Sequence, residues 1–258
     1  MHFSPKLVAF DLDDTLAPSK SPLDPRMADL LVELLDRTEV CIISGGNFAQ
    51  FKMQVVDMLP EMDAAKLANL HLMPTCGTQY YRHDGGWNQV YAQNLSDDEK
   101  ARALTAVEEK AKVLGFWELK TWGPILEDRG SQITFSALGQ GAPVSEKTSW
   151  DPTGVKKNLL RQAVAEVIPD LEVRSGGSTS IDITRRGIDK AYGMTRLAEL
   201  TSIDFAQMLF VGDRLDPEGN DYPVKAAGIP CVAVKSWQDT ASLLEAGMIE
   251  AEGFSAEL

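Results

Sequence analysis

Four apolar residues, Leu7-Val8-Ala9-Phe10, run directly into Asp11-Leu12-Asp13-Asp14-Thr15, which places three carboxylates in four positions. An unbroken apolar run is how a strand buried on both faces reads, and its polar stop marks where that strand reaches solvent. Open parallel sheets keep their ligand sites at that end of the strands. One carboxylate can then meet a substrate while another serves a different partner. The competing reading is an acidic N-cap in front of a helix.

The chain has 258 residues, enough for one large domain or two small ones, and its 44 % apolar and 24 % charged content is that of a globular protein. A net charge of −13 argues against a nucleic-acid partner or an anionic membrane surface. A chain this acidic binds phosphate only with the help of a metal and a few local cations. Cys41, Cys76 and Cys231 are far apart, and the histidines are His2, His71 and His83, so neither zinc-ligand spacing nor a histidine triad is present. Cys41 and Cys231 read as small core residues. The first residues, Met1-His2-Phe3-Ser4-Pro5-Lys6, lack the apolar centre of a signal peptide, and no apolar run approaches a membrane span. A soluble, cytoplasmic protein is expected.

Short apolar segments alternate with amphipathic ones toward both ends. Leu7–Phe10, Val40–Ile43, Met208–Val211 and Cys231–Val234 read as buried strands. Asp24-Pro25 caps a helix with Met27, Leu30, Leu31, Leu34 and Leu35 on one stripe, and a second helix is expected over Asn47–Leu59. Helices are also expected over Lys190–Leu200 and Tyr222–Ala227. This alternation predicts an α/β fold with a doubly wound parallel sheet. The middle differs. Ser96-Asp97-Asp98-Glu99 is a capping box, a further capped helix spans Asp151-Pro152 to Ile168-Pro169, and Ile133–Ala137 and Ser178–Ile183 alternate as half-wet strands. These predict an inserted α+β cap over residues 85–187, with the core in residues 1–84 and 188–258. The acidic tail, Glu250–Leu258, reads as frayed.

Four features stand at the ends of core strands: Asp11 with Asp13; Ser44-Gly45-Gly46; Gly187-Ile188-Asp189-Lys190; and Gly212-Asp213, followed by Gly219-Asn220-Asp221. A serine followed by glycines lets a hydroxyl and backbone N–H groups close on an anion, or simply caps a helix after a turn. Two acidic clusters at strand ends suit convergence on one Mg²⁺, a cation that prefers oxygen ligands.

In their order these features resemble the four motifs of the haloacid dehalogenase (HAD) superfamily, and an insertion between the second and third is similar to its larger α/β cap. Asp213 to Asp221 contains Pro-x-Gly-Asn-Asp, and Gly176-Gly177, Ser180-x-Asp182 and Gly187-x-Asp189-Lys190 complete a resemblance to the eukaryotic-type phosphomannomutase family. The resemblance implies Asp11 as a nucleophile that becomes an aspartyl phosphate, Asp13 as general acid and base, and Ser44 and Lys190 on the phosphoryl oxygens. It implies Mg²⁺ held from among Asp11, Asp13, Asp213, Asn220 and Asp221. It also implies substrate contacts from Gly45 in the core and from Arg129, Gln140, Lys147, Ser180 and Asp182 in the cap.

Ser180 and Asp182 are two apart and share a strand face. The chain departs from the family at Gln140 and Lys147, where arginines are usual, near Lys20, where another is, and at Asp13-Asp14-Thr15, where the family usually reads Asp-Gly-Thr. The resemblance implies a phosphosugar mutase interconverting mannose 6-phosphate and mannose 1-phosphate. A sugar-phosphate phosphatase with the same Asp11 chemistry is the alternative, and a non-catalytic binding protein is a third. A homodimer through the cap is a further implication.

Overall fold

The computed structural model describes residues 4–247, so the acidic tail lies outside the described residues. Its strands are β1 (Leu7–Phe10), β2 (Glu39–Ile43), β3 (Leu70–Met73), β4 (Gln79–His83), β5 (Trp87–Ala92), β6 (Leu126–Asp128), β7 (Ile133–Ser136), β8 (Leu171–Ser175), β9 (Ser180–Arg185), β10 (Met208–Gly212) and β11 (Cys231–Ala233). The chain divides into two compact units. One runs up to Tyr91 and resumes at Asp189, and the other is Ala92–Ile188.

The first unit is built on a seven-stranded sheet in the order β11-β10-β1-β2-β3-β4-β5. The β11-β10-β1-β2-β3 portion is parallel, and β4 joins β3 antiparallel. The apolar run of β1 is explained by this position. Val8 and Phe10 pack on one face with Met27, Leu31 and Phe51, while Leu7 and Ala9 pack on the other with Met194, Leu197 and Val224. Helices therefore cover both faces, as the continuous apolar reading requires. The chain leaves β1 toward β2 on one side and later returns with β10 on the other. The carboxyl ends of β1 and β10 thus flank the switch point where such sheets bind ligands.

Local signals set most elements. Asp24 accepts from Arg26 N and starts Pro25–Leu35 with proline in its first turn. The helix expected over Asn47–Leu59 ends at Gln54, because Val55 turns out of helical geometry (φ −120°, ψ −65°) before a 3₁₀ turn at Val56–Met58. Gln54 O accepts from Leu23 N (2.8 Å), which draws the backbone away from its helical continuation. His71 interrupts the apolar spelling of β3, yet is buried because its ring nitrogens meet Tyr80 Oη and Glu39 Oε2, each at 2.7 Å. Cys41 and Cys231 are buried as expected.

The second unit is a four-stranded antiparallel sheet, β6-β7-β9-β8. Ile133, Phe135, Ile181 and Ile183 pack on Val107 of helix Asp97–Val113 and on Leu160 and Val164 of helix Val155–Val167. The intervening residues turn to the opposite, polar face. The second helix begins at Val155 rather than Asp151, although the Asp151 carboxylate still accepts from Lys156 N (3.2 Å) and Lys157 N (3.0 Å). No helix among the described residues is long and apolar enough to cross a membrane.

Candidate active site

Asp11 follows β1 and donates its backbone N–H to Val211 O (3.0 Å), which fixes it beside the end of β10. Its carboxylate is buried and bonded to the buried ammonium of Lys190, the first residue of helix Lys190–Thr201. The same ammonium reaches the buried Asp221. One carboxylate oxygen from each of Asp11, Asp213 and Asp221 lies within 4.8 Å of the others. Gly212 makes this approach feasible, since a Cβ there would lie 2.4 Å from Asp221 Oδ2. Asp221 Oδ2 also accepts from Arg214 N (3.1 Å), and Thr15 Oγ1 donates to Asp213 Oδ1 (3.5 Å).

Burial pushes the Asp11 pKa up to about 7, against the pull of Lys190 and with the push of Asp221 and Asp213. Burial alone would lower Lys190, but Asp11 and Asp221 outweigh it and hold the ammonium protonated. Asp213 is raised by burial and by Asp221. One ammonium serving several carboxylates stays charged while the carboxylates remain undercompensated. Three carboxylates gathered around one ammonium give the cluster a surplus of negative charge whenever they are ionised. An all-oxygen donor set with that surplus fits a hard divalent cation such as Mg²⁺. Asn220 is exposed beside this cluster.

Asp13 faces a different set of partners. Its Oδ1 accepts from Lys20 N (2.8 Å) and Gln54 Nε2 (3.1 Å), and its Oδ2 pairs with Lys20 Nζ (2.8 Å). Burial pulls the Asp13 pKa upward, but the Lys20 charge and these hydrogen bonds more than offset it and leave it below the usual carboxylate range. Asp14 is exposed and accepts from Ser19 N (3.1 Å). It holds left-handed backbone (φ 66°), which accounts for the glycine usual in the related motif, and aspartate is among the few other residues that tolerate it.

Ser44 is buried at the end of β2, and its Oγ accepts from Gly46 N (3.3 Å). The Ser44-Gly45-Gly46 turn is clasped by the Pro74–Gly77 turn, where Cys76 N donates to Ser44 O (3.0 Å) and Thr75 N to Gly46 O (2.9 Å). Thr75 and Cys76 both adopt left-handed backbone (φ 50° and 55°), a conformation disfavoured for such side chains and held by its surroundings.

The second unit gathers the other expected residues. Asp182 Oδ1 accepts from Thr134 Oγ1 (2.7 Å), and Ser180 pairs in register with Ser136. Gln140 Nε2 donates to Ser136 Oγ (2.7 Å), and Lys147 Nζ donates to Gln140 O (3.0 Å). Arg129 is buried and ion-paired with Glu127 (2.6 Å). Sequence reasoning passed over Thr15, Gln54, the Thr75-Cys76 turn and Thr134. Gln54 had a readable signal, being a polar residue three positions after Phe51 on the buried stripe of its helix.

The strand order, the inserted unit and the acid–lysine cluster define a HAD-fold enzyme of phosphate-ester chemistry. The fold is similar to that of the IMP-nucleotidase of Plasmodium falciparum in its IMP-bound, N-terminally truncated form (TM-score 0.70, 16 % identity, 95 % of this chain and 68 % of that one). It is also similar to the trehalose-6-phosphate phosphatase of Aspergillus fumigatus (TM-score 0.53, 17 % identity, 95 % of this chain and 92 % of that one). In sequence, residues 27–249 match the eukaryotic phosphomannomutase family, and the chain belongs to it. Phosphomannomutase 1 of Homo sapiens is 25 % identical over 233 residues, 85 % of this chain and 83 % of that protein. The phosphomannomutase of Saccharomyces cerevisiae is 26 % identical over 226 residues, 84 % of each. Asp11 and Asp13 precede the family-matched segment, and the other expected site residues fall inside it.

Proposed function

We propose that this enzyme moves a phosphoryl group on a hexose phosphate through an aspartyl phosphate at Asp11, interconverting mannose 6-phosphate and mannose 1-phosphate. The observation that carries this is the buried Asp11–Lys190–Asp221 cluster at the sheet's switch point, with Asp213 beside it. An Asp11 oxygen attacks phosphorus as the ester P–O bond breaks, and Asp13 gives the departing sugar oxygen its proton. In the reverse half-reaction Asp13 takes a proton from another sugar hydroxyl, whose oxygen attacks the phosphoryl group and frees Asp11. The ionised state that Lys20 favours in Asp13 is the one that accepts a proton. Ionised Asp13 therefore suits the half-reaction in which phospho-Asp11 gives its phosphoryl group to a sugar hydroxyl. Ser44 Oγ and the Lys190 ammonium would hold the transferring oxygens. Mg²⁺, held by Asp11, Asp213 and Asp221 with Asp13 and Asn220 near the cluster, would offset the negative charge that otherwise repels an incoming phosphate.

The second reading, a sugar-phosphate phosphatase, draws support from the cap unit. Gln140 brings no charge, Lys147 offers a point charge without the bidentate fork, and Arg129 is already paired with Glu127. A second phosphate would find few uncommitted cations there, and water would then be the acceptor. ³¹P NMR of mannose 1-phosphate with enzyme, Mg²⁺ and a trace of hexose 1,6-bisphosphate separates the two. Growth of a 6-phosphate signal with little free phosphate is expected. Free phosphate alone would replace the mutase with the phosphatase, and no change in either signal would refute a hexose-phosphate substrate.

A further inference from the structure

Ser44 and Lys190 come to the site on different elements, and the Pro74–Gly77 turn touches both of those elements. Thr75, Cys76 and Gly77 are all left-handed (φ 50°, 55° and 81°), a hand that L-residues rarely keep in succession. In this conformation two successive N–H groups point at the Ser44 loop, Thr75 N at Gly46 O (2.9 Å) and Cys76 N at Ser44 O (3.0 Å). Thr78 Oγ1 donates to Thr75 O (2.8 Å) and Tyr91 Oη to Gly77 O (2.6 Å), which brace the turn from its own later residues and from β5. The Cys76 carbonyl, by contrast, meets helix Lys190–Thr201 at Gly193. Gly193 lies three residues after Lys190 on the same buried face of that helix. A Cβ on Gly193 would stand 2.7 Å from Cys76 O, and a Cβ on Gly77 would collide with Gly193 Cα. The turn therefore rests on the helix backbone to backbone, with no side chain between them.

We infer that the Thr75-Cys76-Gly77 turn and Gly193 are positioning residues: they form a spacer that sets how far the Ser44 hydroxyl stands from the Lys190 ammonium, so that both close on one phosphoryl group. This rests on the reading above of Ser44 and Lys190 as holders of the transferring oxygens. Lys190 is pinned by Asp11 and Asp221, so a wider contact at Gly193 displaces the turn and the Ser44 loop bonded to it rather than the ammonium. Ser44 Oγ accepts from Gly46 N (3.3 Å), which leaves the hydroxyl proton for a ligand oxygen. Shifting the loop withdraws that donor while Asp11 and Lys190 stay in place. The spacer acts on the ligand through Ser44 and touches no substrate itself.

The test is calorimetric titration of the full chain with inorganic phosphate and Mg²⁺, arranged as double-mutant cycles against Ser44. Ser44→Ala should weaken phosphate about tenfold, the effect of one hydrogen bond to a charged group. Gly193→Ala should match that loss in the parent and add less than about twofold in Ser44→Ala, since the displaced hydroxyl is already gone. A Cβ on Gly193 would also collide with Ile43 Cδ1, which Ile43→Val removes, so Gly193→Ala with Ile43→Val should keep the loss that comes from Cys76 O. Tyr91→Phe takes one hydrogen bond from the turn and no packing, and should weaken phosphate about threefold, again only where Ser44 is present. Losses of equal size with and without Ser44 would reduce the contact to a structural role and overturn the spacer, and Tyr91→Phe decides this if Gly193→Ala does not fold. Full recovery on adding Ile43→Val, or unchanged affinity in both Gly193→Ala and Tyr91→Phe while Ser44→Ala binds more weakly, would overturn the spacer alone. A parent that does not bind phosphate, or a Ser44→Ala variant that binds it as the parent does, would overturn the reading of Ser44 as a phosphoryl holder and this inference with it.

Discussion

Asp11→Asn should abolish turnover and, in metal-free buffer, make the protein more stable. Asp11 is buried with Asp213 and Asp221 around a single ammonium, and its pKa is pushed from 3.8 to about 7. An acid raised on folding contributes stability below its unfolded pKa, and that contribution disappears as pH climbs through the folded value. The raised pKa then costs the folded state about 4 kcal/mol at pH 8 and about 1–2 kcal/mol at pH 5, at 1.36 kcal/mol per pKa unit. Asparagine keeps the shape and removes the charge. The stability of Asp11→Asn relative to the parent should therefore grow by about 2–3 kcal/mol between pH 5 and pH 8. Urea denaturation in EDTA at several pH values measures this difference directly, because titrations elsewhere in the chain are common to both proteins. Adding Mg²⁺ should erase most of the gap by stabilising the parent more than the variant. A gap that does not change with pH, or a variant less stable than the parent at pH 8, would mean that Lys190 fully compensates Asp11. The surplus-charge argument for a divalent cation would fall with it.

Lys190→Met should leave Asp11 and Asp221 buried without their cation and cost about 3–5 kcal/mol in chemical denaturation at neutral pH, recovering toward acid as the carboxylates protonate. Gly212→Ala would set a Cβ 2.4 Å from Asp221 Oδ2 and should cost about 1–3 kcal/mol while weakening Mg²⁺ binding read by calorimetry. Lys20→Ala removes the charge that holds Asp13 low, so the acid limb of the kcat/KM profile with Mg²⁺ present should move to higher pH, whereas a fixed limb would assign it to another group.

The core was legible because its signals are local. Leu7–Phe10 spells a strand buried on both faces, Asp24-Pro25 spells a helix start, and Asp11 and Asp213 each follow an apolar strand within a residue or two. One strand that escaped notice, β3, carries a residue whose reason for burial is distant in sequence. In β3 that residue is His71, satisfied by Glu39 on β2 and Tyr80 on β4. In the helix that stops at Gln54, the competing pull comes from Leu23 N and Asp13. Neither pull can be inferred from periodicity, which reports only how a segment would sit against a generic apolar surface. The Thr75-Cys76 turn is illegible for the opposite reason, since nothing in its spelling announces left-handed backbone at two successive side-chain-bearing residues.

Ser180 and Asp182 could be placed on one strand face from their spacing, but what Asp182 does depends on Thr134, 48 positions earlier, and on the register that sets β7 against β9. The same holds for Gln140, whose amide finds Ser136 only after the strand has turned. This asymmetry bears on the chemistry. The surplus of carboxylates over ammonium in the core cluster suits a divalent cation whatever the substrate. The cap residues carry no such constraint. Glutamine at position 140, where the related family usually has arginine, leaves Asp11, Lys190 and Asp13 untouched. Water and a sugar hydroxyl are both competent to attack phospho-Asp11. The core cluster therefore reads the same for a mutase and for a phosphatase, and the core motif could not have disclosed which acceptor is used.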